Sequence, residues 1–362
     1  MKITPVYHPP DRWLIGIVLF LAFFGVLMVY DSSVAIAIRD FGDQYYYAKE
    51  QLKWLGLGIL ALVVLSRIDY HRWYRLALPA LLGTMALLMA VFIPGLGVRA
   101  LGAHRWLNFG VFILQPAELA KLVLVLYLAA WFSAQEKGRF MAFLLLTGSI
   151  FGLVMLEPDL GTGIIIVGTA LVMYFLSGAA IKHIALLFPL VIIGVIVLAI
   201  SSPYRFRRLT TYLNPESDPL GASYQIRQVL LSLGSGGWTG IGIGKSRQKY
   251  EYLPEANTDS IFAIIGEETG FMGTTLVVGA FAFLVWRMFR VAAHSADSFG
   301  KLLAAGIASW IGIQSVLNIG AMTAVVPLTG IPLPLISYGG SSLVILLAAS
   351  GMVLNISRQQ KI

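Results

Sequence analysis

The sequence contains no cysteine, and only 12% of its residues are charged. Without cysteine the chain can form neither disulfide bonds nor thiolate metal sites. Histidine is also scarce, and the five residues are too far apart in the chain to show the spacing of a metal site: His8, His71, His104, His183 and His294. Stabilisation of the fold therefore has to come from packing and hydrogen bonding.

Hydrophobic residues are abundant instead. They make up 58% of the chain, and its mean hydropathy is +0.80, which is typical of a polytopic membrane protein and outside the range of soluble domains. The net charge is +8, but the basic residues flank apolar segments and form no stripe with interleaved aromatics. We therefore expect contact with membrane lipid and no nucleic-acid partner.

The apolar residues are grouped into segments of membrane-spanning length. A bilayer core of about 30 Å requires about 20 helical residues. The pattern predicts an all-α polytopic membrane protein, a single domain over residues 1–362, with ten transmembrane helices and a large extracytoplasmic loop at about 201–258 between helices seven and eight. The ten segments lie at 12–31, 49–67, 76–93, 114–134, 140–157, 160–177, 183–200, 259–287, 301–326 and 340–357.

Two boundaries need comment. The first segment is too long for a signal-peptide core and lacks a cleavage site, so we interpret it as an uncleaved span. The fifth and sixth segments are separated only by Glu157-Pro158-Asp159. Proline ends a helix, and carboxylates favour the start of the next one, so two separate helices are expected here.

The basic residues in the short loops predict the orientation. Thirteen lie on one side of the predicted membrane and five on the other. Because Lys and Arg concentrate on the cytoplasmic side, both termini of this multi-pass protein are expected in the cytoplasm, with the chain in the cytoplasmic (inner) membrane. The loops at 94–113, 201–258 and 327–339 then face outward, and their Gly, Pro and aromatic residues suggest structured walls of a cavity.

Asp259 is the candidate catalytic residue. It ends the run YEYLPEANTD and stands at the start of the eighth segment. A carboxyl group at the mouth of a membrane helix is partly shielded from water yet reachable from a cavity, so it can accept a proton from a substrate hydroxyl. Aspartate also commonly caps helices, and position alone does not separate the two interpretations.

Glu118 and Lys121 are three residues apart in QPAELAKLVLVLYLAAWF, on one face of the fourth predicted span. Charges at that depth are costly unless they pair or line a cavity. A structural ion pair is one interpretation. In the other, Lys121 also faces the cavity and stabilises an anionic substrate, and the two interpretations are compatible.

Arginines in the outer loops are candidates for binding anions. Arg105 lies in GLGVRALGAHRWLNFG with Arg99 and His104 nearby. Its charged and glycine neighbours could bring backbone and guanidinium together on a pyrophosphate, although such an arginine is usually solvated or at the headgroup level. A second cluster follows the seventh segment, and lipid headgroup contact is expected for it: Arg205, Arg207 and Arg208.

The stretch GSGGWTGIGIGKS is not a nucleotide-binding loop, because Thr239 stands where the first Walker glycine is required. Its glycines fit tight turns or a close backbone approach to a ligand. Glu267 and Glu268 lie eight and nine residues beyond Asp259. Their spacing fits either a place in the cavity or polar packing between helices.

Four stretches together resemble the SEDS family of peptidoglycan glycosyltransferases: NPESDPLGASYQIRQ, GSGGWTGIGIGKSRQKYEYLPEANTD, QPAELAK and PLTGIPLPLISYGGSS. The resemblance runs over nearly the whole chain, in order. Within the family, GVLMVYDSS, HRWLNFGVFILQPAELAK and AIIGEETG are more similar to the FtsW branch than to the RodA branch. The chain departs from the family at two positions. The family usually has histidine where this chain has Asn257, and phenylalanine where this chain has Ser260.

The resemblance implies a ten-span enzyme that polymerises lipid II at the outer face of the cytoplasmic membrane, in division or elongation. It implies a class B penicillin-binding transpeptidase as partner, together with other divisome or elongasome proteins. The essential aspartate of the family corresponds to Asp259, its acid and lysine of the fourth span to Glu118 and Lys121, and its loop arginine to Arg105. No cofactor is certain, and a divalent cation is left open.

These residues suggest a mechanism. We expect Asp259 to deprotonate the acceptor hydroxyl, while Arg105 or Lys121, with or without a divalent cation, stabilises the departing pyrophosphate. The anomeric centre should be inverted. The alternative function is a flippase of lipid-linked precursor, because charged residues within spans also serve transport, and a non-enzymatic scaffold is a third possibility.

Overall fold

A computed structural model describes residues 8–100, 103–110, 112–134, 139–201, 203–214 and 223–360. Among these residues, helices dominate, and the only regular β-structure is a small antiparallel sheet of β1 (Gly97–Ala100), β2 (Ala103–Asn108) and β3 (Ile113–Leu114). The helices are α1 (Arg12–Phe41), α2 (Tyr46–Arg67), α3 (His71–Ala90), α4 (Pro116–Ser133), α5 (Phe140–Leu156), α6 (Leu160–Leu176), α7 (Ile181–Ile200), α8 (Pro203–Leu213), α9 (Tyr224–Gly236), α10 (Ile261–Ala293), α11 (Ser298–Met322) and α12 (Gly340–Arg358).

The predicted all-α membrane fold is confirmed, with one correction. Ten of the helices overlap the ten predicted segments, although α1 continues ten residues beyond the predicted end at 31, and α8 and α9 lie within the loop after the seventh. The 94–113 loop was expected to be structured but not to contain the sheet that it forms. Of the helices described, seven are long and apolar enough to cross a membrane by length and composition, and α5 and α6 are apolar but shorter. The count of ten spans stays a prediction.

The predicted break between α5 and α6 is present. Helix α5 ends at Leu156, and α6 begins at Leu160. The carboxylate of Asp159 caps α6 by accepting a hydrogen bond from the Thr162 amide at 3.0 Å. The cap satisfies an amide that has no partner within the helix, so the sequence signal and the observed start agree.

Contacts between loops divide the molecule into two ends. The His8 amide donates to the Arg358 carbonyl at 2.8 Å, and Asp11 pairs with Arg287, so the residues that lead into α1 lie beside the ends of α10 and α12. At the other end, Arg105 contacts the carbonyl of Pro158, and the 327–339 segment contacts the residues before α10. The predicted outer loops therefore gather at one end of the molecule.

Helices α4, α11 and α12 form the centre of the bundle. In each of them 72% of the most apolar stretch is buried, compared with 7% in α7, which lies at the periphery. Close packing at the centre depends on small residues. A β-carbon on Gly306 of α11 would stand 2.6 Å from Val125 Cγ1 and 2.7 Å from Met173 Sδ, so α4, α6 and α11 meet where this side chain is absent.

We expect Gly306→Leu to lower the apparent Tm of the purified protein in detergent. The added side chain has to displace Val125 and Met173, and overpacking of this kind costs about 1–3 kcal/mol. Gly279→Leu is the matched control, because nothing lies within 4 Å of a β-carbon at that position of α10. Equal Tm values for the two variants would contradict the packing described here.

Candidate active site

Asp259 lies just before α10. The N-cap residue of α10 is Ser260, and it makes no side-chain capping bond. The Asp259 carboxylate accepts a 3.4 Å hydrogen bond from the Thr258 hydroxyl at Oδ1. Its position thus differs from the helix-capping alternative that the sequence left open, and the carboxyl group remains available for chemistry.

Burial changes the acidity of this group. Asp259 is 8% exposed. Burial, helped by the negative charge of Glu255 and opposed by the positive charge of Arg208, raises the pKa of Asp259 from its ordinary value of 3.8 to about 7. A carboxylate with a pKa near the working pH is ionised in a substantial fraction of molecules and holds an accepted proton well, as a general base requires.

Arg208 corrects one of the sequence-based expectations. Lipid headgroup contact was predicted for Arg207 and Arg208, and also for Arg205, whose side chain lies outside the described residues. Arg207 is exposed. Arg208 instead points inward: its Nη1 donates to the Leu328 carbonyl at 3.0 Å. Neighbouring residues on a helix point about 100° apart, so Arg208 of α8 turns toward the protein while Arg207 does not.

Gly330 lies between this arginine and the aspartate. A β-carbon on Gly330 would stand 3.6 Å from Arg208 Nη1 and 3.8 Å from Asp259 Oδ2. The residue has φ +68°, a conformation that glycine adopts without strain, and it is exposed. The buried carboxyl oxygen therefore lies directly beneath an exposed position, where a substrate atom can approach both charged groups.

The backbone around Asp259 is fixed by buried polar side chains. The Asn318 amide of α11 donates to the carbonyls of Asp259 at 2.8 Å and of Ile331 at 2.7 Å. The Ser337 hydroxyl donates to the Thr258 carbonyl at 2.5 Å. These bonds tie the aspartate to the 327–339 segment, which was one of the three loops expected to wall a cavity.

The two positions that depart from the SEDS pattern also serve this framework. Asn257 is buried, and its carbonyl accepts from the Tyr338 amide at 2.9 Å. Ser260 is fully buried, and its hydroxyl accepts a 3.2 Å hydrogen bond from Gln225 of α9. Asn257 therefore binds the 327–339 segment, and Ser260 binds α9.

The predicted ion pair in α4 is present. Lys121 Nζ lies 2.7 Å from Glu118 Oε1 and 2.9 Å from Gln314 Oε1, and both charged residues are buried. Gln314 Nε2 in turn donates to the Pro332 carbonyl at 3.0 Å. The pair therefore connects to the 327–339 segment through Gln314. Direct contact of Lys121 with substrate stays a prediction.

Arg105 projects from β2 and is half-buried. Its Nε donates to the Glu157 carbonyl at 3.0 Å, and its Nη2 donates to the Pro158 carbonyl at 2.8 Å. These bonds dock the sheet on the turn between α5 and α6. His104 is exposed, and the side chain of Arg99 lies outside the described residues. Pyrophosphate binding by Arg105 stays a prediction.

The glycine-rich stretch packs against α10. The Ile241 amide donates to the Glu267 carbonyl at 3.0 Å, and the Phe271 amide donates to the Gly237 carbonyl at 2.8 Å. The helix opens at Gly270, where φ is +66° and ψ is −163°. A β-carbon on Gly240 would stand 2.0 Å from the Glu268 carbonyl oxygen. The close backbone approach that the sequence suggested is therefore an approach to a helix.

Glu267 and Glu268 hold that stretch in place. Glu268 accepts from the amides of Gly244 and Ser246, each at 3.0 Å, and from Lys249 Nζ at 3.0 Å. Glu267 accepts from the Arg247 amide at 3.1 Å. Of the two alternatives for Glu267 and Glu268, a place in the cavity or polar packing, these contacts fit polar packing. The sequence did not indicate the ion pair of Lys249 with Asp31 of α1, at 2.7 Å, because the two residues are far apart in the chain.

A divalent cation was left open by the sequence. Within the described parts of the chain, no three His, Cys, Asp or Glu side chains are grouped so that they could hold a metal ion. Any cation at this site would need substrate phosphate oxygens as further ligands.

Known proteins resemble this chain over nearly its full length. The family model for the cell cycle proteins FtsW, RodA and SpoVE matches residues 11–362. Stage V sporulation protein E of Bacillus subtilis is 42% identical over 97% of this chain and 98% of that protein. A probable peptidoglycan glycosyltransferase FtsW of Geobacter metallireducens is 41% identical, with 94% of this chain and 92% of that protein covered.

Solved structures give the same result. A chain from a peptidoglycan synthase complex, studied for its structural coordination of polymerization and crosslinking, has a TM-score of 0.78 at 29% identity and covers 97% of this chain and 98% of its own. The rod shape determining protein RodA of Thermus thermophilus has a TM-score of 0.73 at 28% identity, with 98% of both chains covered. The expected family is confirmed: this chain belongs to the FtsW/RodA/SpoVE family of cell cycle proteins.

Proposed function

We propose that this protein is a peptidoglycan glycosyltransferase that polymerises lipid II at the outer face of the cytoplasmic membrane. The observation that carries the proposal is the Asp259 carboxyl, buried beneath an exposed glycine and beside Arg208. A base and a cation on either side of one open position suit a reaction in which a hydroxyl loses a proton and a diphosphate departs.

The chemistry needs one base. Asp259 removes the proton of the acceptor hydroxyl, whose oxygen attacks the anomeric carbon of the donor sugar. The bond from that carbon to the pyrophosphate oxygen breaks, and the polyprenyl pyrophosphate leaves with the electron pair. Attack from the face opposite the leaving group inverts the anomeric centre. The leaving group is already activated, so no second carboxylic acid is required, in contrast to glycoside hydrolases.

Cationic side chains stabilise the leaving group in this proposal. Arg208 contacts the same open position as Asp259, and Arg105 lies on the sheet at the same end of the molecule. Arginine suits a pyrophosphate, because its planar donors bind two oxygens at once. Glu118 and Lys121 belong to the proposed substrate-binding set through their buried link to the Pro332 carbonyl.

The proposal extends to topology and partners. Ten spans with both termini in the cytoplasm would place the Asp259 end outside, where lipid-linked precursor is polymerised. A class B penicillin-binding transpeptidase and other divisome or elongasome proteins are the proposed partners. The likeness to a chain of a peptidoglycan synthase complex supports a crosslinking partner. The proposed activity serves cell division or elongation.

Asp259→Asn should abolish polymerisation of lipid II by the purified protein in detergent, with its transpeptidase partner. Removal of a general base lowers rates by about 10²–10⁴-fold. Asp43→Asn is the matched control, because Asp43 is a partly exposed aspartate paired with Lys49 on the surface. Glycan formed by folded Asp259→Asn protein would contradict the assignment, and labelled lipid crossing a vesicle bilayer without glycan would support a flippase instead.

The pH dependence of kcat should report the ionisation of Asp259. Only the ionised carboxylate accepts a proton, so kcat should rise with pH, tenfold per unit below about 7, and level off above it. Glu255→Gln removes a negative neighbour that raises this pKa, so the rise should move to lower pH. A pH profile that is flat between 5 and 8, or unmoved by Glu255→Gln, would argue against Asp259 as the base.

Arg208→Gln tests the cation beside the base. Loss of one charged hydrogen bond to the leaving group costs about 1.5–3 kcal/mol, so kcat/KM should fall about tenfold to a hundredfold. Because Arg208 lowers the pKa of Asp259, the rise of kcat should also move to higher pH. Arg207→Gln, one residue earlier and exposed, serves as control and should change neither quantity.

A further inference from the structure

Glu157, at the end of α5, is a buried acid that the proposed mechanism does not use. It is the C-cap residue of α5 and has an exposed fraction of 0%. Neither of its carboxyl oxygens has a hydrogen-bond partner among the residues that the structure describes. An unpaired ionised carboxylate in such a place is very unfavourable.

Arg105 is close by but does not pair with this carboxylate. Its two bonds go to main-chain carbonyls, those of Glu157 and Pro158. The other charge that faces Glu157 is Asp159, on the turn that leads into α6, and its carboxylate is bound by the Thr162 amide and hydroxyl. Neutral carbonyl acceptors thus fix the Arg105 guanidinium on the turn. The Glu157 carboxyl forms no ion pair with it, so the positive charge of Arg105 is not cancelled.

The electrostatics agree with a neutral Glu157. Burial, with the negative charge of Asp159 in addition, raises the pKa of Glu157 from 4.5 to about 8, although Arg105 opposes the rise. Near neutral pH the carboxyl group is therefore mostly protonated. Once ionised, it would attract the guanidinium away from the two carbonyls and cancel its charge.

We propose that the buried Glu157 carboxyl is a positioning residue for the glycosyl transfer: while it is neutral, it leaves Arg105 on the two carbonyls of the turn as a cation for the diphosphate of the lipid-linked substrate, and when ionised it draws the guanidinium away and cancels that charge. The inference rests on the proposed function. In this role a buried side chain that does not contact substrate keeps the anion-binding site positively charged. The affinity for a diphosphate substrate should then weaken as the pH rises through the range in which Glu157 ionises.

The first test compares KM for lipid II at pH 7 and pH 9. In the native protein we expect KM to rise about tenfold, the lower end of the range for the loss of one charged hydrogen bond. Glu157→Gln cannot ionise, so its ratio of the two KM values should be near one. Glu50→Gln, a half-buried control paired with Lys53 at the surface, should keep the native ratio. A native-like ratio in Glu157→Gln would overturn the proposal.

Binding without turnover separates this inference from the proposed function. Fluorescent lipid II is titrated into Asp259→Asn protein at pH 7 and pH 9, with and without Glu157→Gln. A Kd that weakens at pH 9 only when Glu157 is present supports the positioning role, whatever the variant does in catalysis. Arg105→Gln should weaken binding at pH 7 and remove the pH effect, and unchanged binding by Arg105→Gln would overturn the proposal.

Stability gives a readout independent of substrate. The raised pKa of Glu157 means that the folded protein holds a proton that the unfolded chain releases above about pH 4.5. The contribution of protonated Glu157 to the free energy of unfolding is complete below that pH and is lost as the pH rises toward 8. The Tm of Glu157→Gln minus that of the native protein should therefore grow from pH 5 to pH 8 and then level off. A constant difference would show that Glu157 ionises freely, contrary to the proposal.

Discussion

Burial of charge in a medium of low dielectric is the constraint on which this site depends. Four buried acids among the described residues meet it in different ways. Glu118 is paired with Lys121, and Glu268 is surrounded by amides and Lys249. Glu157 has neither and is most stable when protonated. Asp259 lies between these cases, because burial and Arg208 act on it in opposite directions.

The position of Asp259 follows from a chain of buried polar contacts. Helix α11 presents Gln314 and Asn318 one turn apart, so both side chains lie on the same face. Gln314 joins the Lys121 pair to the Pro332 carbonyl, and Asn318 joins the Ile331 carbonyl to that of Asp259. Polar side chains in the core of a membrane bundle thus hold two irregular segments, whose carbonyls would otherwise be unsatisfied at that depth.

Much of the helical framework could be predicted from the sequence, because apolar segments of membrane length have few alternative structures. The break at Pro158 and the Glu118 and Lys121 pair were also predictable, since both depend on residues close together in the chain. The strands of the 97–114 sheet were not. They are two to six residues long and contain too few positions to show a period.

Contacts between distant segments account for the remaining differences. Arg207 and Arg208 are equivalent by composition, and only the position of α8 against Leu328 shows which one meets the site. The ion pair of Asp31 with Lys249 joins residues 218 positions apart. The orphaned carboxyl of Glu157 likewise becomes visible only when α5, α6 and the sheet are placed together, because its sequence neighbours predict an ordinary helix boundary.

Glu255 shows why a second acid near the base does not imply acid catalysis. Its carboxylate is exposed and accepts from the Thr258 hydroxyl at 2.7 Å, and that same hydroxyl also donates to Asp259. In the proposed reaction the pyrophosphate leaving group needs no proton donor. The negative charge of Glu255 acts on the base instead, by favouring the protonated form of Asp259. In the proposed reaction, two carboxylates four residues apart therefore support one proton transfer, in which only the buried group exchanges the proton with substrate.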